Sequence, residues 1–201
     1  MISTSEIVHG LTGAWRIAML DATAARHFDL SADGFRRSFW ALAITVPIIF
    51  FTTASLWQIG QASGTIELAD FTSFVTVQVG ATVLYWAAYL LVMIGVARHL
   101  RLGSSYAAYV IVFNWGELMT SALFALPLLL NAFGILPSPI AVTLMLPAMA
   151  ALVWYRWQIA RQVLGATPPA AAAILALDLA LNLMLDHGLA SLVFMSGGET
   201  P

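Results

Sequence analysis

The 201-residue sequence contains no cysteine. That absence excludes disulfides, thiolate metal sites and redox-active thiols together, and removes cysteine usage as a guide to compartment. Lysine is missing too, so all eight basic residues are arginine; we read this as genome composition. Charge of either sign is scarce: 9% of residues are charged and the net charge is -2, against about 25% charged in a typical soluble domain. No nucleic-acid footprint is therefore visible, and no nucleic-acid partner is expected. The sequence also lacks a phosphate-binding loop, a Gly-x-Ser-x-Gly elbow, an aspartate-rich prenyl-diphosphate signature and an H-E-x-x-H pair. His9, His27 and His99 are scattered, and only His187 lies within or near a span core. Neither a metal site nor a haem-holding histidine pair is expected, and no cofactor. A cleavable signal peptide is not expected either: the first long apolar run starts near Ser38, too far in and too long for an h-region.

What the chain has in abundance is apolar surface. Hydrophobic residues make up 61% and the mean hydropathy is +0.89. A spanning helix needs about 20 mostly apolar residues, and five segments qualify: 38–57, 71–97, 106–130, 139–160 and 169–194. The expected fold is all-α, a polytopic membrane bundle of five transmembrane helices. We divide the chain into an amphipathic interfacial helix and turn (1–35), the five-helix membrane domain (36–196) and a short outer tail (197–201).

The arginines orient this plan. Arg16, Arg26, Arg36 and Arg37 precede the first span, Arg98 and Arg101 separate the second from the third, and Arg156 and Arg161 stand at the junction of the fourth and fifth. "GQASGTIELAD", "NAFGILPSP" and "SGGETP", on the other side, hold none. The positive-inside rule then sets the N-terminus in the cytoplasm and the C-terminus outside. Trp40, Trp154, Tyr155 and Trp157 flank arginines, where amphipathic rings sit at headgroup level.

Before the first span, Ile7, Leu11, Ala14, Trp15, Ala18 and Ala22 fall on one helical stripe. Ser3, Thr4 or Ser5 can cap that helix and Ser31 the next. The stripe predicts a helix lying on the cytoplasmic leaflet, or one packed on the bundle. A faint repeat links "VARHLRLG" at 96–103 with "IARQVLG" at 159–165.

The informative residues are polar groups inside the spans. Asn114, Glu117 and Ser121 share one face of the third span. Glu117 lies about 18 Å from the inner end of its span, Asp178 about 14 Å and Asn182 about 20 Å, at the α-helical rise. Tyr85, on the second span, has a similar depth. A carboxylate at such depth costs about 2.5–3.5 kcal/mol on insertion scales, so it must face the bundle interior. We expect one cluster of Asn114, Glu117, Asp178 and Asn182, with Tyr85 donating a hydrogen bond, and the third and fifth spans facing each other across it. Three roles are open: interhelical glue, a proton or ion path, or contact with a partner or cofactor. Asp186 and His187 form a polar pair at the outer end of the fifth span.

A cytoplasmic N-terminal segment, five spans and a very short outer tail resembles the plan of Yip1-type membrane proteins, over about 160 residues by span length. The resemblance is topological and assigns no site residue. "FDLSADGFRRSFWA", "VFNWGE" and "YRWQIAR" are similar in texture to small membrane proteins of alphaproteobacteria, which implies an inner-membrane location. The expected function is non-enzymatic: a scaffold, assembly or accessory subunit that binds other membrane proteins or lipid. The alternative is a small homo-oligomeric transporter or proton-coupled channel that uses Glu117 and Asp178.

Overall fold

Six α-helices carry the chain through the computed structural model, which describes residues 2–64 and 70–196, with the side chains of 186, 187 and 189–196 outside the description. They are α1 (Thr4–Ala18), α2 (Ala32–Ala62), α3 (Phe71–His99), α4 (Tyr106–Ala132), α5 (Ser138–Gln158) and α6 (Pro168–Ser196). No strand occurs among the described residues. Five helices, α2 to α6, are long and apolar enough to cross a membrane, so the all-α five-span bundle stands.

Local chemistry sets the helix ends. The Ser3 hydroxyl accepts the amide of Glu6 and starts α1, and Ser31 accepts the amide of Gly34 and starts α2. The Ser31 cap is why α2 begins at Ala32 and not at 38. Asp70 caps α3 through the Ser73 amide. α5 runs on through a π-turn at Ile159–Val163 and stops at Gly165, whose φ of 78° suits glycine. Pro47, Pro127 and Pro147 lie inside α2, α4 and α5 without ending them.

Around the bundle the neighbours run α2, α3, α6, α5, α4 and back to α2. The pair α2–α4 is the most extensive, because Ser38, Ala41 and Thr45 present small side chains, all fully buried, and the backbones approach closely. From Tyr109 to Leu118 every α4 residue is buried. α2 and α5 cover its flanks, and α1 lies across its remaining face.

α1 is thus packed on the bundle, through Gly10, Gly13, Ala14 and Ile17. Gly10 is required there: a Cβ would lie 2.2 Å from Cδ2 of Trp115 on α4. The expected stripe divides here: Ala14 is buried, while Trp15 is 59% exposed and points away from the bundle, an arrangement compatible with an interfacial helix. Trp154 and Gln162, beyond the α4–α5 contact, donate to the carbonyls of Ala18 and Ile17 at the end of α1. Arg37 ties the arrangement, with Nε 2.9 Å from Glu6 and Nη2 2.5 Å from Asp29.

Candidate functional site: a buried charge triad at the floor of a cavity

The site begins with a steric contact. Gly116 leaves room for the Tyr155 ring, whose Cε1 would lie 2.1 Å from a Cβ at that position. The Tyr155 hydroxyl donates to the Val112 carbonyl at 3.3 Å. This close approach fixes the register of α4 against α5, and the next residue on each helix is Glu117 and Arg156.

Arg156 Nη2 lies 2.5 Å from Glu117 Oε1, and Nε lies 3.7 Å from Asp178 Oδ2. All three residues are buried. Glu117 Oε2 accepts from the Trp86 indole at 3.0 Å, and Tyr85 donates its hydroxyl to Asp178 Oδ1. The guanidinium carbon sits 4.2 Å from the centre of the Phe113 ring and 5.6 Å from that of Tyr89, a cation–π arrangement that suits a desolvated arginine. Tyr89 and Tyr109 share a hydrogen bond of 2.6 Å between their hydroxyls. Arg156 always carries its charge, yet its Nε and Nη1 make no hydrogen bond among the described residues. The triad sets two acids against one cation, so with both acids ionised it holds one surplus negative charge.

Beyond Glu117, on the side of the bundle that holds no arginine, lies a cavity of about 480 Å³. Its lining includes residues from all five spans: Thr53 of α2, Thr82 of α3, Glu117 of α4, Met149 of α5 and Asn182 of α6. On the other side the channel axis is filled by Tyr89, Tyr109 and Phe113, all fully buried, and Trp115 beneath α1 closes that end. The lumen is a largely apolar chamber with polar groups set into its wall and Glu117 at its floor.

Several sequence expectations survive and others are corrected. Glu117, Asp178 and Tyr85 do meet, as expected. Asn114 does not join them: its Nδ2 donates to Ser38 Oγ at 2.9 Å and its Oδ1 is unpartnered, so it holds α4 to α2. Asn182 lines the lumen from an exposed position, with no hydrogen bond among the described residues. The third and fifth spans do not face each other directly. α6 packs mainly on α3, and Arg156 of α5 bridges the two acids. Arg156 itself is the main correction: it is not an interfacial topology residue but a buried one. Arg36, Arg37, Arg98, Arg101 and Arg161 do stay at the bundle end, where Arg36 pairs with Asp33 and Arg161 donates to the Ala166 carbonyl. The side chains of Asp186 and His187 lie outside the described residues.

Sequence reasoning missed Arg156, Trp86 and the Tyr89–Tyr109–Phe113 stack. A signal was there to use: two acids at membrane depth call for a cation, and Arg156 is the arginine closest to their depth. Comparison with protein-family models, curated proteins and solved structures finds no match to this chain.

Proposed function

We propose that this chain is a non-enzymatic, multi-pass protein of the bacterial inner membrane, with its N-terminus in the cytoplasm and its C-terminus outside. In this reading it admits a small solute into its lumen from the outer side and works as a small homo-oligomeric transporter. The observation that carries this is the cavity, with polar groups in its wall, that reaches the buried triad at Glu117. Arg156 is held by Glu117 and stands further from Asp178, so a shift of the guanidinium from one acid to the other is the natural gate. Such a shift exposes a carboxylate to the lumen without moving a helix. Five spans are few for a monomeric carrier, which points to a homo-oligomer. The test is flux in vesicles reconstituted with the purified protein. Glu117→Gln should abolish pH-dependent flux while the protein remains folded by circular dichroism; unchanged flux in that variant would overturn the reading.

A second reading is favoured by a different observation. Val8, Trp15, Met19 and Leu20, at the bundle end, are each more than half exposed. An apolar outer face on α1 suits a lipid leaflet or another membrane protein, as an assembly or accessory subunit would need. Native mass spectrometry after gentle extraction separates the two: a stoichiometric partner protein favours the accessory role, and a homo-oligomer alone favours transport. The kinship with Yip1-type proteins is a proposal that rests on topology.

A further inference from the structure

We propose that the lumen binds a small organic ammonium ion, with the triad's surplus negative charge, reached through Glu117, as its countercharge. The inference rests on the solute-binding reading above and names the class of solute. Its basis is where the hydroxyl protons go. Thr52 donates to the Ile49 carbonyl, Thr82 to Gln78 and Thr120 to Gly116, each at 2.9 Å. Tyr85 donates to Asp178. Each of these lumen residues has therefore committed its proton within the protein, and can offer the chamber only lone pairs. Gln78 and Asn182 keep amide donors and Thr53 and Ser121 hydroxyls on the same wall, so it mixes donors with acceptors, and these four acceptors suit a guest that brings donors of its own.

Charge points the same way. Among the described residues no arginine or histidine lines the chamber, and the triad at its floor carries one surplus acid. A narrow site of one sign, walled by low-dielectric material, concentrates ions of the opposite sign. Size and the remaining wall choose an organic cation over a bare inorganic one. The chamber holds about 480 Å³, and its apolar lining includes Phe74, Phe124, Met145 and Met149 beside aliphatic side chains such as Leu56 and Leu152. Aromatic faces and thioethers suit the carbon skeleton and the charged head of an amine, and the volume is that of a small-molecule site.

The absence of cysteine makes the test direct, because an introduced thiol is the only one. Ser121, which lines the lumen on α4, is changed in the full-length protein in nanodiscs, as Ser121→Cys. Its modification rate is measured with 2-aminoethyl methanethiosulfonate, an ammonium, and 2-sulfonatoethyl methanethiosulfonate, an anion. Each rate is divided by that reagent's rate on free 2-mercaptoethanol. The ammonium should win by about tenfold or more. Benzylammonium should protect the thiol, while benzyl alcohol should not and benzyltrimethylammonium, which has no N–H, should protect less. Glu117→Gln should bring the ratio towards one. Gln78→Lys leaves the triad intact, adds a positive charge to the wall that offsets the surplus acid, and should likewise bring the ratio towards one. Equal rates, a faster anion, or equal protection by the alcohol would overturn the ammonium inference and leave the solute-binding reading standing. A thiol that neither reagent reaches until the protein is unfolded would overturn both. The predicted selectivity without flux in vesicles would leave the ammonium site standing and remove transport.

Discussion

Arg156 joins three helices through one side chain, and its removal leaves Glu117 and Asp178 facing each other in a buried site. Breaking a buried ion pair from one side costs about 3–5 kcal/mol. Arg156→Met should lower stability by that order, measured by unfolding in sodium dodecyl sulfate from a mild detergent. The double variant Arg156→Met with Glu117→Gln should recover part of the loss, because it removes a charge along with its partner. Arg156→Lys should rescue little, since an ammonium cannot lie flat on Phe113 while it reaches two acids. A parent-like unfolding midpoint for Arg156→Met would contradict the triad's structural role. The acids were legible in the sequence, because carboxylates at membrane depth must turn inward whatever surrounds them. Arg156 was not, for a specific reason. "WYRWQ" has the composition of a headgroup belt, but the π-turn carries α5 on to Val163. That places Arg156 about 10 Å inside the end of its helix at the α-helical rise, and aromatic rings fill the space that headgroups would occupy.

At the scale of the element, α1 is held by shape first and charge second. Gly10→Ala would drive a methyl into the Trp115 ring and should release α1, read as faster tryptic cleavage after Arg16 in the folded protein. Arg37→Ala should do much less, since its ion pairs are partly open to solvent. The charge contribution has a defined pH window. Hydrogen bonds from the Ser31 hydroxyl and backbone, and then the Arg37 charge, hold the Asp29 carboxyl below its usual 3.8. A lowered carboxyl stabilises the fold above its unfolded value and loses that contribution as pH falls through its folded value. Amide protection in α1, taken relative to the intrinsic exchange rate at each pH, should therefore be unchanged from neutrality down to about pH 4 and should fall only in stronger acid. Protection that falls near pH 6 would refute Asp29 as the titrating group. The capping serines of α1 and α2 were readable from sequence because a cap is a local hydrogen bond. The inward face of α1 was only half readable: a bulky Trp15 weighs heavily in a hydrophobic stripe, whereas the glycines that make the real contact weigh nothing.

At the scale of the whole molecule, the spans were legible and their arrangement was not. Length and apolarity suffice to mark a helix that can cross a bilayer. Which helix neighbours which depends on small residues, such as Ser38 against Asn114 and Gly116 against Tyr155, that leave no periodic trace. The proposed orientation has its own test. Arg101→Cys should react with an impermeant maleimide only after the inner membrane is opened, and Phe133→Cys, at a position 76% exposed, should react from outside. The opposite pattern would invert the topology and turn the lumen towards the cytoplasm.

The triad also has a history in time. A ribosome delivers α4 before α5, and α5 before α6. Glu117 enters the lipid while its countercharge is still untranslated. Arg156 then arrives in the adjoining hairpin and meets an acid already waiting. Asp178 comes last and finds a cation in place. The exposed moment of biogenesis is thus the synthesis of residues 118 to 155, when a lone carboxyl stands in the membrane. A nascent chain halted there is the form that quality-control proteases should recognise first.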